Sequence, residues 1–256
     1  MKRIAIVVST VGYHWEELFR GYWGFRDAGW EISLYTVDGR PAFPDTLSLV
    51  PTGPGALLGL GMPASIGPKT PRGTQLLRAL DGVQPLSALD PERFDALFLP
   101  GGHGCLFDVN RNAELHAIIA RLHQRGCLLS AVCHATSTFA YVKDAESGRS
   151  IVAGHAFTGF PHALDRALIP LHLVRREFLP LPLVNDAELR RAGARLSLVD
   201  EAIAMANPRW VRVSLPFVTG VGPKAAAGVA RAVVRALEGR TVLSGAAHAE
   251  GAPAAA

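Results

Sequence analysis

Cysteine, aromatic residues and long apolar runs are all scarce in this chain, and each shortage closes off a class of protein. Only three Cys occur in 256 residues, at 105, 127 and 133. The number is odd and C-x-x-C spacing is absent, so neither a disulfide framework nor a zinc knuckle is expected, and the thiols fit a reducing, cytoplasmic setting. The first apolar run, Ile4 to Val8, stops at Ser9-Thr10 before reaching the length of a signal-peptide core or a membrane span. The formal net charge of +4 is scattered among acids, without a basic stripe interleaved with aromatics. Nucleic acid and membrane are therefore not expected as partners. What the chain does have is 49% hydrophobic residues, enough for a large core, together with 26 Gly and 18 Pro. So many helix-interrupting residues exclude a bundle or coiled coil and assign much of the chain to turns.

The apolar pattern alternates between strand and helix. Ile4 to Val8 is a β-branched run of the kind covered on both faces in a parallel sheet, Glu16 to Ala28 has helical spacing and closes at Gly29, and Trp30 to Val37 reads as a second strand. From 40 to 91 the chain turns Pro/Gly-rich, with one short helix around Gln75 to Leu80. This stretch reads as an insertion, either a lid or interface element or a plain surface loop. Alternation resumes with strand Ala96 to Leu99, helix Asn112 to Arg125 and strand Cys127 to Val132. Val152 to Phe160, Ala194 to Val199 and Val211 to Thr219 read as shorter strands, and Val184 to Ala192 and Pro223 to Leu237 as helices. The order implies one α/β domain over 1–242, a doubly wound, mostly parallel sheet with helices on both faces, followed by a flexible tail over 243–256. Ligands bind such sheets beyond the carboxyl ends of the strands.

Three segments fall on that rim. Leu128 to Val132 runs into Cys133-His134 with a helix starting directly behind, the arrangement of a nucleophile elbow, where a helix N-terminus would favour thiolate. An isolated Cys-His pair is more often structural, because Cys is commonly just a small buried apolar side chain. Pro100-Gly-Gly-His-Gly104 places a glycine turn at the end of the neighbouring strand, where the Gly102 and His134 N–H groups suit an oxyanion hole. A phosphate cradle is excluded there, since neither Gly-Lys-Ser/Thr nor dinucleotide-binding spacing is present. Tyr13-His-Trp-Glu-Glu-Leu18 sets carboxylates at the start of the first helix, where an acid is usually only a cap. Their coincidence on one rim favours chemistry over three separate structural roles. The remaining histidines, among them His14, His103, His155 and His162, lack metal-ligand spacing, so no metal and no cofactor is assigned.

Taken together, the Pro100–Gly104 turn, the Ala131-Val-Cys-His134 elbow and the Thr158-Gly-Phe160 stretch resemble the ThiJ/PfpI superfamily, which shares the flavodoxin-like, class I glutamine amidotransferase-like fold. They look most like its heat-inducible chaperone and glyoxalase III branch, over about residues 3 to 238 and least across 45 to 90. The resemblance implies Cys133 as nucleophile, His134 beside it, Asp165 as the acid orienting that histidine, Glu17 rather than Glu16 as the first-helix glutamate, and Gly102 and His134 as oxyanion-hole amides. It also implies a homodimer. The chain departs from its relatives in Cys-His-Ala-Thr for the elbow's usual Cys-His-Gly-Pro, in Val218-Thr-Gly-Val-Gly-Pro-Lys224 for Asn-Pro-Ala-Ser, in Gly21 for a proline, and in Cys105 for a proline.

The expected activity is cysteine-dependent conversion of a small carbonyl substrate, a 2-oxoaldehyde such as methylglyoxal, to a 2-hydroxy acid without glutathione. A protonated Glu17 would donate to the thiolate, and Asp165 would fix the imidazole tautomer. Two alternatives stand beside it. One is a cysteine hydrolase, amidase or isonitrile hydratase on the same fold. The other is a stress-related holdase chaperone or redox sensor, using an oxidisable Cys133 and apolar surface at Leu57, Leu58, Leu60, Met62 and Ile66. Cys105 is read as an inert thiol, with a bridge to Cys133 as the alternative.

Overall fold

Alternate residues of the first strand face opposite cores. In β1 (Arg3–Val7), Ile4 and Ile6 pack with Leu18, Phe25 and Phe98, whereas Ala5 and Val7 pack with Leu97, Leu99 and Ile119. This is the pattern of a strand with helices on both faces. The computed structural model describes residues 1–50, 62–196, 202–203 and 206–249, with side chains of the last helix described through 239.

The strands after β1 are β2 (Glu31–Thr36), β3 (Gln84–Pro85), β4 (Ala96–Leu99), β5 (Leu128–Val132), β6 (Val211–Ser214) and β7 (Phe217–Gly220). They form one seven-stranded sheet in the order β3-β2-β1-β4-β5-β7-β6. Every neighbouring pair is parallel except β6 with β7. The helices are α1 (Trp15–Asp27), α2 (Pro71–Leu80), α3 (Cys105–Asp108), α4 (Ala113–Gln124), α5 (His162–Leu168), α6 (Asn185–Arg191) and α7 (Ala226–Ala249). Helices α1 and α7 lie together on one face, and α4 covers the other. No helix among the described residues is long and apolar enough to cross a membrane.

Close packing of α1 depends on Gly21. A Cβ there would lie 2.2 Å from Cε1 of Phe98, so only glycine lets the helix press onto β4. Tight docking on the sheet fixes where the first turn of α1, with its two glutamates, meets the strand ends.

Several local expectations are corrected. Val152 to Phe160 is not a strand: Gly154 takes φ 81°, a turn conformation, and the segment carries only an isolated bridge, Ala156 with Arg195. That bridge is also all of the strand expected over Ala194 to Val199, and 197–199 lie outside the described residues. Val211 to Thr219 folds into two antiparallel strands because Leu215-Pro216 turns the chain between β6 and β7. The stretch 40–91 supplies edge strand β3 and helix α2, which starts earlier than expected because Thr70 caps it and Pro71 occupies the first turn. Of the apolar residues considered as client-binding surface, Met62 is buried in the core and Ile66 packs against it; Leu57, Leu58 and Leu60 lie outside the described residues. The last helix continues past Leu237 to Ala249, into the segment expected as tail.

Candidate active site

β1, β4 and β5 are adjacent, so the loops at their carboxyl ends are neighbours, and the three segments singled out in the sequence meet there. At the end of β5 the chain turns sharply: Cys133 has φ 58°, a left-handed conformation rare outside glycine, which presents its side chain above the sheet edge. The helix behind it is a 3-10 helix, Cys133–Tyr141, and not an α-helix. Its Ser/Thr content accounts for this, since Thr136 Oγ1 donates to the Cys133 carbonyl and Ser137 Oγ to that of His134, tightening the turns. Buried Asn110 also donates to the His134 carbonyl, locking the elbow from the other side.

His134 follows directly and shows two different faces. Its Nδ1 lies 3.3 Å from Cys133 Sγ, and its Nε2 lies 3.0 and 3.1 Å from the two carboxylate oxygens of Asp165. Phe160, the last residue of the Thr-Gly-Phe stretch, stacks on the His134 ring with centroids 4.7 Å apart. Asp165 reaches the site from α5, a helix the sequence pattern did not reveal. Burial works against its ionisation, but His134 and His103 outweigh burial and hold the carboxyl below the usual carboxylate range. An ionised Asp165 accepting from Nε2 leaves the Nδ1 lone pair directed at the thiol, the tautomer a general base requires.

Glu17 is fully buried at the start of α1. Its Oε2 accepts the Gly101 N–H at 2.7 Å, and the Cys133 thiol is its hydrogen-bonding neighbour. Burial raises its pKa to about 7, opposed by the Gly101 amide, the thiol and His134 and aided by Glu16. Glu16, one residue earlier, points elsewhere, pairing with Lys224 at 2.8 Å and Arg20 at 2.7 Å. The glycine turn is pressed against both groups: a Cβ on Gly101 would lie 2.9 Å from Cys133 Cβ and 3.1 Å from Glu17 Oε2. Gly102 has φ 109°, a backbone only glycine takes readily, and its N–H has no partner among the described residues. The His134 amide is directed at the Cys133 sulfur.

A resting thiolate is not what this site favours. Burial, the Glu17 charge and Cys105 push the Cys133 thiol well above its ordinary pKa, and the His134 amide only partly opposes them. The expected thiolate rested on the positive end of a helix and on a protonated Glu17; when ionised, that same carboxyl opposes the thiolate. Cys105 is buried, and its thiol donates to the Gly102 carbonyl at 3.0 Å, bracing the glycine turn.

The sequence did not point to two further contacts. His103 Nε2 lies 3.3 Å from Asp165 Oδ1, giving that carboxylate a second imidazole, and Lys224 holds Glu16 across 208 positions of the chain. Both are long-range pairings with no local spacing to reveal them.

Seven strands in this order, with Cys133 at a strained turn after β5, give the chain a fold shared with solved ThiJ/PfpI domain proteins. A ThiJ/PfpI domain protein from Brachyspira murdochii superposes with a TM-score of 0.60 at 16% identity, covering 93% of this chain and 96% of that one. Glyoxalase III from Candida albicans superposes with a TM-score of 0.69 at 22% identity, covering 92% and 97%. Among sequence relatives, the glutathione-independent glyoxalase hsp3101 of Schizosaccharomyces pombe is 27% identical over 229 residues, 88% of this chain and 87% of its own length. No protein-family model matches the chain. The fold is that of the ThiJ/PfpI superfamily, and the sequence relatives are glutathione-independent glyoxalases.

Proposed function

We propose that this protein is a glutathione-independent glyoxalase, converting small 2-oxoaldehydes such as methylglyoxal to 2-hydroxy acids through Cys133. The observation that carries the reading is the placement of one thiol between two proton acceptors, Glu17 and His134 Nδ1, with Asp165 behind the imidazole. A glyoxalase needs both a nucleophile and a group that moves a proton between adjacent carbons, whereas simple hydrolysis needs only the first and a leaving-group acid.

The chemistry follows from the geometry. Cys133 sulfur bonds to the aldehyde carbon while its proton passes to the Glu17 carboxylate, which returns it to the former carbonyl oxygen to give a hemithioacetal. The Gly102 and His134 amides would stabilise charge on that oxygen. His134 Nδ1 then removes the hydrogen from the same carbon, the electron pair moves to the neighbouring ketone oxygen to give an enediolate, and His134 returns the proton to the second carbon while the hydroxyl proton passes from the first oxygen to the second. The product is a thioester of the 2-hydroxy acid, and water releases the acid and regenerates the thiol. An acceptor near neutrality suits the first step, because a carboxyl with a pKa of about 7 both takes and returns a proton at working pH.

The test is a panel of 2-oxoaldehydes, amides and isonitriles without glutathione. The proposal expects turnover of the 2-oxoaldehydes, with Cys133→Ala reducing it by about 100-fold or more. Amide or isonitrile turnover in their place would assign the site to the alternative chemistry.

A further inference from the structure

Asp165 serves two imidazoles, and only one of them faces the nucleophile. His103 Nε2 approaches Oδ1 at 3.3 Å, and His134 Nε2 approaches both oxygens at 3.0 and 3.1 Å. The two rings lie 4.6 Å apart between centroids. One ligating atom from each of the three residues lies within 4.8 Å of the others.

These separations are close to those of a metal site. Zinc held tetrahedrally with bonds of about 2.0 to 2.1 Å has ligand-to-ligand edges of about 3.3 Å. Both histidine-to-carboxylate separations already match that edge, and the histidine-to-histidine separation has at most about 1.5 Å to close. His134 and Asp165 side chains are 2% exposed, while His103 is 12% exposed, so His103 forms the solvent side of the cluster and the route of entry. Phe178, stacked on the His103 ring, and Phe160, on that of His134, hold the two imidazoles in place. Two imidazoles and one carboxylate suit borderline divalent ions such as Zn²⁺ or Co²⁺, and not Mg²⁺ or Ca²⁺, which want oxygen ligands.

We propose that His103, His134 and Asp165 form a binding site for a borderline divalent transition-metal ion, and that occupancy slows Cys133 by removing one of its two proton acceptors. The slowing follows from the tautomer. A metal on His134 Nε2 uses that nitrogen's lone pair, so the ring proton resides on Nδ1, the atom 3.3 Å from Cys133 Sγ. An Nδ1–H cannot accept the thiol proton. Occupancy therefore leaves Glu17 as the acceptor facing the thiol and lowers the reactivity of Cys133, with no change in backbone. The site itself is independent of the glyoxalase reading, and the slowing is measured by thiol reactivity so that each can fail alone.

The experiment titrates the full chain with Co²⁺ and follows visible absorption, then displaces Co²⁺ with Zn²⁺. One equivalent is expected to give the d–d bands of a nitrogen/oxygen site without a sulfur-to-metal charge-transfer band. His103→Ala and His103→Gln are each expected to weaken binding by about 100-fold or more, whereas Cys133→Ala leaves the spectrum and affinity unchanged. Zn²⁺ is expected to slow iodoacetamide alkylation of Cys133 about 10-fold, and EDTA to restore it. Circular dichroism of each variant separates ligand loss from unfolding. Absence of stoichiometric binding, equal affinity in folded His103 variants, or a charge-transfer band that Cys133→Ala removes would each overturn the site. Alkylation unaffected by bound Zn²⁺ would overturn the slowing.

Discussion

The site's character at the scale of single residues is set by two carboxylates in opposite environments. Asp165 is held ionised by two imidazoles, while Glu17, with only one amide and a thiol for support, is pushed to about 7. Because Glu17 faces Cys133, His134 and Glu16, with no cation in contact among the described residues, its ionised form is costly in the folded state. Its folded pKa lies above the ordinary value of 4.5, so its contribution to stability is full below pH 4.5 and falls as pH rises through about 7. Glu17→Gln keeps an acceptor for the Gly101 N–H without the charge. It is expected to be more stable than the parent at pH 8.5, by up to about 3 kcal/mol from a shift of about 2.5 units, and little different at pH 4.5. Urea unfolding at both pH values checks the sign, and equal differences at the two would contradict it. The same titration gives kcat/KM a rise through about pH 7 in the parent that Glu17→Gln removes. Asp165→Asn permits the wrong tautomer of His134 and is expected to lower kcat about 100-fold or more with KM little changed, measured in steady state.

At the scale of elements, α1 is the part that has to be placed most accurately. It carries Glu17 to Cys133 and Glu16 to Lys224, and it can lie flat on β4 only because of Gly21. Gly21→Ala drives a methyl into the Phe98 ring and is expected to cost about 1 to 3 kcal/mol by denaturant unfolding. Lys224→Met leaves fully buried Glu16 with Arg20 as its ion-pair partner among the described residues, and is expected to cost about 3 kcal/mol. A loss under about 0.5 kcal/mol would show that Arg20 alone suffices. Periodicity made α1, α4 and β1 to β5 legible except β3, which has two residues and no pattern to detect. It misread Val152 to Phe160, whose apolar residues are spaced like a strand but serve a buried loop that turns at Gly154 and delivers Phe160 onto His134. It could not give the type of helix after Cys133, because Thr136 and Ser137 impose the tighter turns through their own hydroxyls.

Across the whole molecule, the parallel order of β1, β4 and β5 is what turns three weak local signals into one site. Cys133, His134, Gly102 and Glu17 were each legible because a strand end or helix start lies beside them. The second imidazole on Asp165 and the Lys224 pairing were not, since they arise from elements far apart in sequence that only the fold brings together. The thiolate expected from a helix N-terminus is opposed by burial and by the charge of Glu17, which the fold brings to Cys133 from more than a hundred residues away.

The claim on which the account rests is that substrate passes through a covalent bond to Cys133. Rapid quenching of the full chain with methylglyoxal, followed by peptide mass spectrometry, reads that bond directly. An adduct confined to the peptide containing Cys133 is expected, forming within the first turnover and decaying as the 2-hydroxy acid is released. Turnover at the parent rate with no such adduct, or an adduct that accumulates while no acid is formed, would contradict it.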